Sequence, residues 1–153
     1  MNNKEQTATH HPTMHPIHLS GPANGDFLCI VGDCIESIFK RTEVLKDSEN
    51  LIYNIQLAVH ETCTNIVDHA YSAKDTGDIN LIFSVIPSPL QLVVDVEDKG
   101  NAFDPTLVEE PNPEQLQVRG YGLYLIQKLM DKTDYSSAGG VNKWRLTKFL
   151  TVL

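Results

Sequence analysis

The sequence predicts an α+β domain: a two-layer α/β sandwich with helices on one face of a mixed, mostly antiparallel sheet. Three observations predict it. Two long segments in the first half carry apolar residues at helical spacing, whereas the second half alternates apolar and polar residues around Pro87-Ser88-Pro89 and Gly139-Gly140. The length of 153 residues suits one core and leaves little room for a second. Residues 1–15 read as a mobile polar tail, and 16–153 as the single folded domain.

In chain order, Pro16 to Ser20 can supply a short edge strand with Ile17 and Leu19 on one face. The run Gly21-Pro22-Ala23-Asn24-Gly25-Asp26 is a turn that can cap a helix. From Phe27 to about Leu45, the residues Phe27, Ile30, Val31, Cys34, Ile35, Ile38 and Phe39 form an amphipathic stripe. Asp47-Ser48 offers the next cap, and a long helix to about Tyr71 carries Ile52, Ile55, Val59, Cys63, Ile66 and Ala70. Strands follow at 79–86 and 90–98, the second with Leu90, Leu92, Val94 and Val96 facing one way. Residues 104–119 form a long polar loop. A helix from about Tyr121 to Lys132 shows Leu123, Ile126, Gln127 and Met130 at helical spacing. A short strand near 133–137 and a last strand from about Val141 to Val152 close the chain; Trp144, Leu146, Leu150 and Val152 share a face that Lys148 breaks.

Composition narrows the function. Twenty acidic against 12 basic residues give a formal charge of -8, which disfavours nucleic acid and anionic lipid as direct partners. No apolar run approaches the roughly 20 residues of a membrane helix, and the opening 25 residues hold no signal-like segment, so a cytoplasmic protein is expected. Cys29, Cys34 and Cys63 lack metal-site spacing, lie in apolar helical stretches and are expected to be buried structural thiols. His10, His11, His15 and His18 crowd the tail without a cysteine or carboxylate to complete a metal site.

Three pieces carry chemistry. In the long helix, Glu61, Asn65 and His69 climb one side at a spacing of four residues. An acid one turn from a carboxamide can orient an attacking hydroxyl and hold a divalent cation, and magnesium accepts one amide oxygen plus nucleotide phosphates. Taken alone, the same pattern is also an ordinary exposed polar face. The second piece is Asp98-Lys99-Gly100-Asn101-Ala102-Phe103-Asp104-Pro105. Asp98 shares the inward register of Val94 and Val96, where a carboxylate is costly unless it meets a donor such as an adenine amine. Gly100 lets the backbone approach a flat ligand, although a capped turn would use the same residues. The third piece, Arg119-Gly120-Tyr121-Gly122-Leu123, opens a helix whose exposed amides and dipole suit phosphate. No Walker-type Gly-Lys-Ser/Thr occurs, and the third glycine of a dinucleotide fingerprint is missing.

The order and spacing of Glu61-x3-Asn65, Asp98-x-Gly100-x2-Phe103-Asp104-Pro105 and Gly120-x-Gly122-Leu123 resemble the N, G1 and G2 boxes of the GHKL ATPase superfamily. The stretch from Leu57 to Tyr71, the pairs Leu125-Ile126 and Met130-Asp131, and Asn142-x-Trp144-x-Leu146-x-Lys148 are similar to bacterial anti-sigma-factor serine/threonine kinases. The resemblance runs from about residue 16 to the end of the chain. It implies a Bergerat-type ATP site between the long helix and the sheet, with ATP and Mg2+ as cofactors. Asn65 would ligate the magnesium, Asp98 recognise the adenine amine, and Gly100 and Phe103 line the approach of the ring. Arg119, Gly120, Gly122 and Leu123 would follow the phosphates, and Glu61 would be the general base. It further implies an anti-anti-sigma partner of the STAS fold as substrate, a sigma factor as alternative partner, and a homodimer.

Between Asp95 and Glu114 seven acids (95, 97, 98, 104, 109, 110, 114) face one base, Lys99. So acidic a cover over a polyphosphate supports a second reading, a nucleotide-binding regulatory switch with little or no kinase activity. A third, the detached ATP-binding half of a histidine kinase, lacks a helix pair bearing a phosphoacceptor.

Overall fold

The computed structural model describes residues 14–41, 49–71, 77–104, 112, 114 and 121–151. Strand β1 (Ile17–Pro22) leads into helix α1 (Gly25–Arg41). The cap falls within the expected turn: Asn24 Oδ1 accepts the Phe27 N–H at 3.0 Å, satisfying one orphan donor of the first helical turn. Helix α2 (Glu49–Asn65) follows, and its last residues widen into a π-helical turn over Ile66–Ala70. Next come β2 (Asp78–Ile86), β3 (Gln91–Asp98), α3 (Tyr121–Leu129), β4 (Lys132–Ala138) and β5 (Val141–Phe149).

The five strands form one sheet in the order β1-β2-β3-β5-β4, and every pair within it is antiparallel, so the mixed component expected from the sequence does not occur among the described residues. Register stacks apolar residues across the sheet: Leu19 opposite Leu81, Leu81 opposite Val96, and Val96 opposite Trp144. Phe83, Val94 and Leu146 make a second row. Apart from the half-buried Leu19, these side chains are buried on the helix face of the sheet, where α2 touches β3 and β5 and is flanked by α1 and α3. Burying each Val-, Leu- or Ile-sized chain contributes roughly 1.5–3 kcal/mol against the unfolded state. No helix among the described residues is long and apolar enough to cross a membrane.

Helix geometry corrects part of the α1 expectation. At 3.6 residues per turn, Cys29 and Ile30 lie roughly 120–140° from the centre of the face formed by Phe27, Leu28, Val31, Ile35, Ile38 and Phe39. Cys29 is accordingly exposed rather than buried, and Ile30 is 53% exposed. Cys34 sits at the flank, half-buried, and burial raises its thiol pKa. Cys63 alone matches the expectation fully, and burial pushes its thiol up to about 12. The expected extension of α1 to Leu45 lies outside the described residues. Helix α3 ends earlier than expected and leaves Gln127 on the exposed side, although Met130 still packs into the core.

Lys148, which breaks the apolar alternation of β5, pairs with Leu92 in register and reaches Asp131 Oδ1 at 3.4 Å. Asp131 in turn accepts the Phe149 N–H at 2.7 Å. The lysine therefore ties the α3–β4 corner to the end of β5.

On the opposite sheet face, Arg145 grips Asp95 with two bonds, Nε to Oδ1 at 2.7 Å and Nη2 to Oδ2 at 2.9 Å, and the carboxylate raises the guanidinium pKa further. Lys143 lies 3.8 Å from Asp95 and 3.6 Å from Glu97. Two of the seven acids noted in the sequence are thus neutralised on the face away from the helices.

Candidate nucleotide site

A cavity of about 310 Å³ opens between the C-terminal end of α2 and the sheet, within the range of roughly 300–1,000 Å³ usual for small-molecule sites. Asn65 and His69 form one wall; Asp98, Asn101, Phe103 and Asp104 form another. Tyr135 and Trp144 close the third.

The carboxylate end is built by strand register. Asp98 ends β3 directly opposite Asn142 of β5, and both are almost fully buried, 2% and 3% exposed. Asp98 Oδ1 accepts the Gly100 N–H at 2.8 Å and the Asn142 amide at 2.9 Å. Those donors offset the cost of burying the charge.

The aromatic wall comes from three elements. Phe103 meets Tyr135 edge-on with centroids 5.9 Å apart, and Trp144 lies 5.5 Å from Phe103 and 4.8 Å from Tyr135. The Phe103 N–H donates to Tyr135 Oη at 2.7 Å, which anchors the loop to β4. An apolar aromatic surface beside a buried carboxylate is the combination that holds a flat heterocycle carrying an amine.

The π-helical turn joins α2 to that loop. Its terminal carbonyl, on Ala70, accepts the Asn101 N–H at 2.7 Å. A Cβ on Gly100 would stand 2.3 Å from the same Ala70 oxygen, so the glycine is required by this close backbone contact. The sequence reading assigned that glycine to ligand approach; packing against Ala70 is an independent reason for it.

At the other end of the cavity, α3 begins against α2. A Cβ on Gly122 would lie 3.0 Å from Glu61 Oε2 and 3.5 Å from Asn65 Oδ1. The fold therefore brings Glu61, Asn65 and Gly122 together, and Asn65 belongs to the same cavity as Asp98 and Phe103. Leu123 is half-buried against the core rather than in the cavity lining. Arg119 and Gly120 lie outside the described residues.

Sequence reasoning missed several lining residues. Tyr135 and Trp144 are partners in the β4–β5 register, which becomes visible only once those strands pair. His69 was noticed on the helix but not assigned to the site, and it lines the cavity beside Asn65. Among the described residues no three His, Cys, Asp or Glu side chains gather as a metal cluster. A second hollow of about 270 Å³ between α1 and α2 is lined by residues such as Leu28, Tyr53, Leu57 and Cys63 and contains no carboxylate.

Comparison with known proteins agrees with this geometry. Residues 31–148 match the family model of the histidine kinase-like ATPase domain. The serine-protein kinase RsbW of Bacillus licheniformis is 32% identical over 141 residues, covering 88% of this chain and 85% of the relative. RsbW of Bacillus subtilis is 29% identical with the same coverage. Among solved structures, the RsbU and RsbW domains of a Mycobacterium tuberculosis protein superpose with a TM-score of 0.63 at 17% identity, over 90% of this chain but 35% of that one, a likeness of fold. Family model, relatives and cavity converge: the chain belongs to the histidine kinase-like ATPase domain family and, within it, stands with the RsbW serine-protein kinases.

Proposed function

We propose that this protein kinase transfers the terminal phosphoryl group of Mg-ATP to a serine or threonine of a STAS-type anti-anti-sigma partner. It acts as a cytoplasmic homodimer that alternatively sequesters a sigma factor. One observation carries the reading: a single cavity joins a buried carboxylate, Asp98, to Asn65, which stands one helical turn from Glu61. In this reading Asp98 accepts the adenine amine, and the rings of Phe103, Tyr135 and Trp144 bound the base. Gly100 keeps the loop tight enough for that contact. Gly122, in the first turn of α3, follows the phosphates, together with Arg119 and Gly120, which precede it in the sequence.

Asn65 presents an oxygen donor at the cavity edge, which suits magnesium shared with phosphates and needs no cluster of carboxylates. Bound there, the ion would supply charge stabilisation to the transferring group. Glu61 receives the proton of the attacking hydroxyl. Phosphorylation adds close to two negative charges to the partner, enough to break a packed contact and leave this protein to hold its sigma factor.

Transfer of label from ATP to candidate STAS proteins, with Glu61→Gln alongside, tests the reading. Transfer by the wild type and its loss in the variant are expected; no transfer to any of them favours the alternative, a nucleotide-dependent binding switch. Asn65→Ala should remove the magnesium dependence of ATP binding, and an unchanged dependence would end the ligand role. The acidic stretch that favours the switch is weakened as an argument by Asp95 and Glu97, which pair with Arg145 and Lys143 on the far sheet face.

A further inference from the structure

Asn142 does more than satisfy a strand position. Its Nδ2 donates to Asp98 Oδ1 at 2.9 Å and to Gly100 O at 2.9 Å, with Asn101 O at 3.4 Å. Ser137 Oγ donates to Asn142 Oδ1 at 2.7 Å, which sets the amide so that its NH2 edge faces the carboxylate. Since the Gly100 N–H occupies the same Asp98 oxygen, Oδ1 already holds two donors. Oδ2 accepts no hydrogen bond from the described residues, and Asp98 lines the cavity.

We infer that Asn142 is a positioning residue for base selection: it locks the Asp98 carboxylate so that one fixed acceptor, Oδ2, meets the base. The inference rests on the reading of Asp98 as the adenine-binding residue. A fixed acceptor takes a hydrogen bond from an exocyclic amine. Where a base carries a carbonyl instead, two oxygens face each other, and a locked carboxylate cannot turn away to relieve the repulsion. A carboxylate free to rotate would relieve it. Asn142 thus governs rejection of the wrong base more than acceptance of the right one.

The test measures the affinity of the full chain for ATP and for ITP, in which a carbonyl replaces the adenine amine, by calorimetry with magnesium. Wild type is expected to prefer ATP, and Asn142→Ala to narrow that preference about tenfold, chiefly by gaining relative affinity for ITP. Equal weakening of both nucleotides, with the ratio unchanged, would overturn the inference. Asn142→Asp supplies a second measurement should the alanine variant fail to fold. Its new carboxyl would face that of Asp98 across a 2.9 Å contact, where the two repel when both are ionised at high pH and share a proton as the pH falls. When the pair shares a proton, the introduced group donates as the amide did. The ATP preference of Asn142→Asp should therefore be weak near pH 8 and recover towards wild type near about pH 5. A preference that stays flat across that range sinks the proposal. The two levels separate cleanly: a wild type indifferent to ATP and ITP removes the adenine role of Asp98 itself. A selective wild type whose variants select equally well removes only the role of Asn142.

Discussion

Gly122 packs directly on Glu61: a methyl group in place of its hydrogen would stand 3.0 Å from Glu61 Oε2. This contact couples the start of α3 to the proposed base. Gly122→Ala should raise helix propensity by up to about 1 kcal/mol and leave the melting temperature equal or higher. Phosphotransfer should nevertheless fall several-fold, because the carboxylate must shift by a few tenths of an ångström. Thermal melts read beside transfer assays check the opposed signs; a parallel fall in both would mean the contact is merely structural.

Glu61→Gln keeps the shape and removes the basicity. Mg-ATP affinity should change by no more than about twofold, whereas the transfer rate should fall by about 10²–10⁴. Single-turnover kinetics beside calorimetry would separate the two, and retained transfer would exclude Glu61 as base.

Asp98→Asn leaves an oxygen for the Gly100 and Asn142 donors but allows an NH2 group to face the base. The clash of two donors should weaken ATP binding by at least about tenfold, corresponding to about 1.4 kcal/mol or more. Unchanged affinity in calorimetry would show that this carboxylate does not read the base.

Gly100→Ala should destabilise the fold as well as the site. The added carbon would meet the Ala70 carbonyl oxygen at 2.3 Å, and neither backbone segment can yield without breaking the Asn101–Ala70 hydrogen bond. A loss of about 1–3 kcal/mol in chemical denaturation is expected. Ligand-free protein suffices for this measurement, so it stands apart from any role in ATP binding.

The thiols should react in the order of their burial. Cys29 is exposed and should label within minutes, whereas Cys63, raised to about 12 by burial, should label only on unfolding. Linkage gives the matching pH dependence. The folded state keeps Cys63 protonated, so its contribution to stability is complete below the ordinary thiol value of 9.0 and declines as pH rises towards about 12. Mass spectrometry of native and denatured samples checks the labelling, and denaturation midpoints at rising alkaline pH check the slope.

The element types, the two glycine-bearing motifs and the inward carboxylate of Asp98 were legible because each depends on local spacing. Period and turn chemistry act over a few residues, and the sequence displays them directly. The α1 stripe was legible only in part: Cys29 and Ile30 share its apolar character, yet which arc of a helix is buried is decided by what packs on it. The same holds for Lys148, which has no meaning in the β5 pattern until Asp131 is brought to it.

By itself the sequence determined the α+β class, the helix bearing Glu61 and Asn65, and the chemistry these residues offer. Tertiary structure decided that β3 pairs with β5, which sets Asn142 against Asp98 across 44 residues of chain and Trp144 beside Tyr135. Strand alternation already turned Asp95 and Glu97 to the other face, and the pairing of β3 with β5 supplied their partners there, Arg145 and Lys143. The reason is that strand register and helix docking are fixed by burial summed over the whole core, a quantity no short segment contains.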